Sequence, residues 1–357
     1  AKADPNLFSG LDGERQMILG EAIGLRAFIQ FDLLRIYAPS PSSVGFGKDD
    51  RTFIPYVNVY PSYVNNHQTV SYCLEQIIAD LKEAQRILKE VDATSSMGAN
   101  ARFNIETVSE SLFAKSRGYR LNYYAVTALL ARVYLYGNER ELALAQAKEI
   151  IGEVNGENPT SYELANSSAT SGNPMFSSEL IFTLDVQKLK DLSEVYFTEN
   201  SNSVSSILSM SSSGKANIFN SGGLESDFRS SWMTLGTDGD SYVLGKYKDM
   251  KYIPMFKLSE LYLIAAETAT GSEAYGYLNK LRNHRGLANV APTADLEDNI
   301  FQEYRREFIG EGQMFFYYKR KVMQVIGADN NIAIKNPNAI YNLPIPTNEV
   351  DFGNIKK

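Results

Sequence analysis

A single cysteine, Cys73, stands in the 357 residues, so no intramolecular disulfide can form and a disulfide-stapled fold is excluded. It falls inside an apolar-periodic segment, which suits a small core residue. Histidines number two, His67 and His284, and no Cys or His lies at ligand spacing to either. Zinc and triad chemistry need clustered partners, so no metal or other cofactor is expected. There is no excess of positive charge: the formal net charge is −7. Nucleic-acid affinity is mostly cationic neutralisation of phosphates, so nucleic acid is not an expected partner. No run of about 18 or more apolar residues is present, so no helix is expected to span a bilayer. The chain opens Ala1-Lys2-Ala3-Asp4-Pro5 without a signal-peptide core, which leaves its compartment open.

What is present is a long chain, 44% hydrophobic, that can bury a large core without staples. Helical periodicity dominates. Leu74, Ile77, Ile78, Leu81, Ala84, Ile87 and Leu88 share one face of an amphipathic helix within 70–91. Residues 13–37 read as a second long helix that stops before Pro39 and Pro41, because proline restricts its predecessor and removes a donor. Residues 121–136 and 139–152 form a helix pair across the turn Gly137-Asn138. Leu130, Ala131 and Tyr134, answered by Ala143 and Ala147, match tetratricopeptide spacing. A second pair covers 257–270 and 272–285, with Ala265, Ala266 and Ala269 followed by Ala274, Leu278 and Leu281. One final long helix is expected from about 295 to 326.

Two irregular stretches separate these helices. Residues 38–69 carry four prolines and several tyrosines, and residues 153–250 are rich in Ser, Asn and Gly, with a strand-like piece at Leu180–Leu184. Loops of that length inside a compact protein are uncommon unless they carry function.

Six segments, in order, resemble the SusD/RagB family. Gly20–Tyr37 is similar to its "LRA…FDLVRLYG" helix, and the pair at 121–152 to its "ALLARVYLY" repeat. Leu258–Glu267 resembles "RLAELYLIRAEA", and Leu278 through Gly286 resembles "LNxVRxRAG". Glu303, Arg305-Arg306-Glu307-Phe308, Glu311-Gly312, Phe315-Phe316 and Arg320 resemble "ERRxEFxxEGxRFFDLxR". Tyr341–Pro346 with Glu349 matches the family's closing "YLLPIPxxEI". Met314, Tyr317 and Tyr318 depart from the commoner Arg, Asp and Leu, which removes one salt bridge of that motif.

The resemblance implies an all-α fold of tetratricopeptide-like helix pairs, an α-α superhelix with long irregular insertions, as one SusD-like domain over 1–357. Its helical scaffold would be 13–37, 70–91, 121–152 and 257–326, and its ligand-facing insertions 38–69 and 153–250. It further implies a lipid-anchored outer-membrane protein on a bacterial (Bacteroidetes) cell surface, which passes a nutrient to a TonB-dependent, SusC-like transporter. The family's lead before the Gly20 helix, with its lipidated cysteine, would be cut away here, so membrane association would run through an anchor outside this sequence.

Within that frame the expected ligand is a glycan, because sugar rings offer apolar C–H faces to flat aromatics and hydroxyls to polar side chains. Aromatics in the irregular stretches are the candidates: Trp232 (the sole tryptophan) with Phe228 and Arg229, then Tyr242 and Tyr247, and Tyr56, Tyr60 and Tyr63 in the other stretch. The competing reading of Trp232 is a core plug where loop meets scaffold. A peptide cargo, or a tetratricopeptide-like adaptor gripping a protein segment, is the alternative function.

Enzymatic readings lack a motif. Glu303, Glu307 and Glu311 lie at i, i+4, i+8 on one helix face beside Arg305 and Arg306. One-face spacing does not set two carboxylates across a scissile bond. It fits a charge network pinning this helix to Arg282 or Arg285. Asp238-Gly239-Asp240-Ser241 offers oxygens of the kind calcium takes, but no bidentate acid follows, and a plain turn is expected.

Overall fold

In the computed structural model, residues 12–45, 49–60, 64–92, 116–152, 162–167, 175–197, 207–220, 226–247, 252–334 and 340–353 are described. The chain divides into two compact units, the first from 1–161, 319–322 and 338–357, the second from 162–318 and 323–337.

In the first unit, helix α1 (Asp12–Tyr37) packs along α2 (Val70–Asp92). Gly20 makes this approach close, since a Cβ there would stand 2.6 Å from Leu88 and force that side chain to shift. A Cβ on Gly24 would stand 2.6 Å from Leu121, ahead of the next helix. Ala27, Phe28, Phe31 and Leu34 face inward, and the α2 face read from periodicity is buried at Leu74, Ile77, Leu81, Ala84, Ile87 and Leu88. Cys73 is also buried, and burial pushes its thiol up to about 12, which makes it an inert core residue.

Helix α3 (Tyr123–Tyr136) and helix α4 (Arg140–Ile151) form the expected antiparallel pair. Asn122 caps α3 by accepting the Ala125 amide at 2.9 Å, and Asn138 turns the chain at a φ of 65°. Ala131, Ala143 and Ala147 are fully buried between the two. Between α1 and α2, strands β1 (Thr52–Pro55) and β2 (His67–Thr69) pair antiparallel.

In the second unit, strand β3 (Leu180–Asp185) realises the strand-like piece seen in the sequence. Helix α5 (Leu189–Phe197) follows, and then β4 (Ser209–Ser211), β5 (Met233–Leu235) and β6 (Ser241–Leu244) form a sheet in the order β4-β6-β5. Strand β7 (Tyr252–Lys257) pairs antiparallel with β3 and feeds the second helix pair, α6 (Leu258–Thr268) and α7 (Gly271–Asn283). The described parts of 153–250 thus carry regular strands and helices that their Ser/Asn/Gly content does not suggest.

One expectation is corrected. The segment 295–326 is not a single helix: α8 (Leu296–Glu307) stops, and α9 begins at Gln313 and runs to Lys321. Gly310 and Gly312 take φ of 75° and 71°, a left-handed conformation that breaks an α-helix. A Cβ on Gly310 would also lie 2.6 Å from Leu244. The departure noted at Tyr317 and Tyr318 is filled by packing: both rings lie 5.8 Å from Phe301, and the Tyr318 hydroxyl donates to the Ile326 carbonyl.

Candidate functional site

Asp227 starts the site in the second unit by accepting the Arg229 amide and turning the chain into the short 3-10 helix Phe228–Trp232. That turn sends Arg229 inward. Its guanidinium reaches Asp227 at 2.7 Å, Glu303 at 2.8 Å and Glu307 at 3.0 Å, all at zero exposure. Arg285 joins Glu307 at 3.1 Å and Glu179 at 2.8 Å, while Arg282 and Arg306 both reach Glu303. Glu311 accepts Lys246, Lys257 and the Tyr247 hydroxyl at one oxygen. The expected pinning to Arg282 and Arg285 is present at Glu303 and Glu307, whereas Glu311 lies past the end of α8 and takes Lys246, Lys257 and Tyr247 instead.

Its electrostatics are those of scaffold, not of catalysis. Burial alone would raise the Glu303 carboxyl, but Arg306, Arg229 and Arg282 outweigh it and hold the group at about 2. Burial also opposes ionisation of Glu307, and Arg285, Lys257 and Arg229 overcome that, leaving it well below the usual carboxylate range. General acid catalysis needs a carboxyl raised toward neutrality. Glu179 is raised by burial, yet both its oxygens are held by Arg285.

Of the predicted ligand contacts in this unit, Trp232, Arg229 and Tyr247 are interior. Trp232 packs against Phe176, with 5.4 Å between ring centres, within a cluster that includes Ile218, Phe219, Met233 and Leu244. It occupies the position of a core plug. Phe228 and Tyr242 are half-buried. The Lys215 ammonium sits 4.1 Å from the Tyr242 ring centre and covers one of its faces.

In the first unit, Tyr56 is buried and its hydroxyl hydrogen-bonds Asp80, which also receives Arg26 at 2.6 Å. Tyr60 is the opposite case: it is 98% exposed, and Val59 and Val64 are exposed as well. Tyr63 lies outside the described residues. His67 is buried against Glu349 at 2.7 Å. The Asp238 carboxylate is taken by its own turn, accepting the Asp240 and Ser241 amides and the Ser241 hydroxyl. Among the described residues, no group of three or more metal-ligating side chains occurs.

Sequence reasoning missed Lys246, Lys257 and Glu179 as members of the network. Nothing in their local sequence marks them, because their partners arrive from segments 50 or more positions away.

The model of the SusD family matches residues 84–352. The chain belongs to the SusD family. This is a family of binding proteins and not of enzymes, and the chain is a non-enzymatic member. Among solved structures, a SusD superfamily protein of Bacteroides thetaiotaomicron VPI-5482 is 24% identical. It covers 96% of this chain and 77% of its own, with a TM-score of 0.71. A SusD superfamily protein of Bacteroides vulgatus ATCC 8482 gives 23% identity, 94% and 76% coverage and a TM-score of 0.71. A laminarin-binding SusD-like protein, at 19% identity, covers 100% of this chain and 80% of its own, with a TM-score of 0.64. These likenesses establish the all-α, tetratricopeptide-like SusD fold. No curated protein matches the chain.

Proposed function

We propose that this SusD-family protein captures a glycan at the cell surface and delivers it to a TonB-dependent, SusC-like outer-membrane transporter. The observation that carries the reading is the likeness, over the whole chain, to a structure named as a laminarin-binding SusD-like protein. A SusD-like carbohydrate-binding protein of Bacteroides vulgatus ATCC 8482, with a TM-score of 0.66, supports the same ligand class.

The site chemistry is consistent with capture. Tyr60 presents both ring faces on an irregular segment, the arrangement that stacking on a sugar's C–H face requires. The buried carboxylates of the second unit are consumed by arginines and lysines, so they are not free for acid–base work. Residues 1–357 act in this reading as one SusD-like domain, with 38–69 and 153–250 as the ligand-facing insertions. Anchoring would be by lipid, and no helix among the described residues is long and apolar enough to cross a membrane.

Titration calorimetry with laminarin, run beside a Tyr60→Ala variant, tests this. Saturable heat that the variant loses supports it. Silence with laminarin and with other polysaccharides would remove the glycan reading and leave peptide cargo to be tested.

A further inference from the structure

A cleft in the first unit, with none of the aromatic candidates in its lining, is formed by Pro39, Ser43, Val44, Arg51, Lys319 and Asn342, with Val322 and Tyr341 beside them. Its volume is about 170 Å³. Sites for drug-sized ligands run to roughly 300–1,000 Å³, so this one suits a small molecule or one terminal residue of a larger one.

Lys319 gives the cleft its chemistry. The side chain is 1% exposed, and its ammonium donates to the carbonyls of Arg35 and Tyr341 at 2.6 Å each. An ammonium has three donors, and the third has no protein acceptor among the described residues. Nor does a carboxylate lie within ion-pair distance of it among those residues. Burying an ammonium without an anion is costly, and the cost shows: burial, reinforced by the neighbouring Arg35, pulls Lys319 down to about 7. The other charges do not compensate it. Arg35 pairs with Asp32, and Arg51 at the mouth is matched by Asp49 at 2.8 Å. The Ser42 hydroxyl donates to the Arg320 carbonyl and so screens one acceptor of the last turn of α9.

A second observation marks the same wall. Val322 has a φ of 54°, the left-handed position after a helix where glycine is usual. For a β-branched residue this is a strained conformation, and such strain gathers at ligand clamps. The exposed Asn342 amide, the Ser43 hydroxyl and the Lys319 ammonium offer donors, while Pro39, Val44 and Val322 offer apolar walls. Donors plus carbon-facing walls favour an organic anion over an inorganic one.

The geometry points to a binding site for a small organic carboxylate, either free or as the acidic residue of a saccharide, whose anionic oxygens complete the coordination of Lys319. The site does not depend on the glycan reading, since a free carboxylate would satisfy it.

The test is titration calorimetry of the full chain with acetate, D-glucuronate and D-glucose, the last as neutral control. Binding of acetate and glucuronate with equal affinity assigns a free-carboxylate site, and binding of glucuronate alone assigns an acidic-sugar site. Glucose should give no heat at this site. Lys319→Gln should abolish carboxylate binding. Because that variant can fail to fold, Asn342→Asp, a rim change at an exposed position, serves as the second: its carboxylate should weaken binding at least tenfold. No binding of either carboxylate, or affinity unchanged in Asn342→Asp and in a folded Lys319→Gln, overturns the assignment. Neither result bears on laminarin titration at Tyr60.

Discussion

The Lys246 ammonium stands 4.0 Å from the centre of the Trp232 ring while its charge is returned to Glu311 at 2.8 Å. The sole tryptophan thus ties an apolar cluster to the ion network. Trp232→Ala should cost about 3–5 kcal/mol through the cavity it leaves. Urea unfolding followed by circular dichroism measures this. A stable variant that has lost only ligand binding would show that Trp232 faces a ligand instead.

Removing one partner of a fully buried ion pair strands the other. Arg285→Ala leaves Glu307 and Glu179 without their shared guanidinium and should cost about 3–5 kcal/mol. Exposed Arg86, paired with Glu83 on the surface of α2, should show almost no effect when changed to Ala. Comparing the two midpoints in one denaturant series checks the contrast.

Acid should loosen the second unit. Glu303 is held at about 2 against an ordinary 4.5, so the unfolded chain takes up its proton first as pH falls. The stability from this group is complete above about pH 4.5 and is lost as pH drops toward 2. It amounts to an order-of-magnitude 3 kcal/mol, at about 1.4 kcal/mol per pH unit. Glu307 and Glu311, also depressed, add in the same direction, and Glu179, raised, opposes them. Trp232 fluorescence during urea unfolding at pH 7, 4 and 3 should show the midpoint falling. A flat profile would contradict the network's charge state.

Backbone geometry supplies a fourth expectation. Gly286 holds a φ of 81°, and a Cβ there would meet the Ser226 carbonyl oxygen at 2.4 Å. Gly286→Ala should destabilise by more than about 1 kcal/mol, measured by thermal unfolding.

Much of the helical frame was legible in the residues. The α2 face followed from a 3.6-residue period, and the α3–α4 pair from alanines at repeat spacing. Acids four apart at Glu303, Glu307 and Glu311 announced a network because clustered acids need cations, although only Glu303 and Glu307 lie on α8 and Glu311 falls in the break after it. The break at Gly310 and Gly312 was harder to see, since the apolar and charged pattern continues through it and only φ separates the helices. The irregular stretches were least legible. Whether Trp232 or Tyr60 meets solvent depends on which distant segments cover it, and no local spacing encodes that. Phe176 lies 56 positions before the Trp232 that it covers. Lys319, inside a run of cations, carries no mark of its burial.

Affinity electrophoresis of the wild type and Tyr60→Ala through a panel of polysaccharides, with product analysis on the same samples, tests the central claim most directly. The account predicts that at least one polysaccharide retards the wild type, that Tyr60→Ala migrates freely with unchanged stability, and that no shortened product forms. Release of product, or no retardation by any polysaccharide, would contradict it.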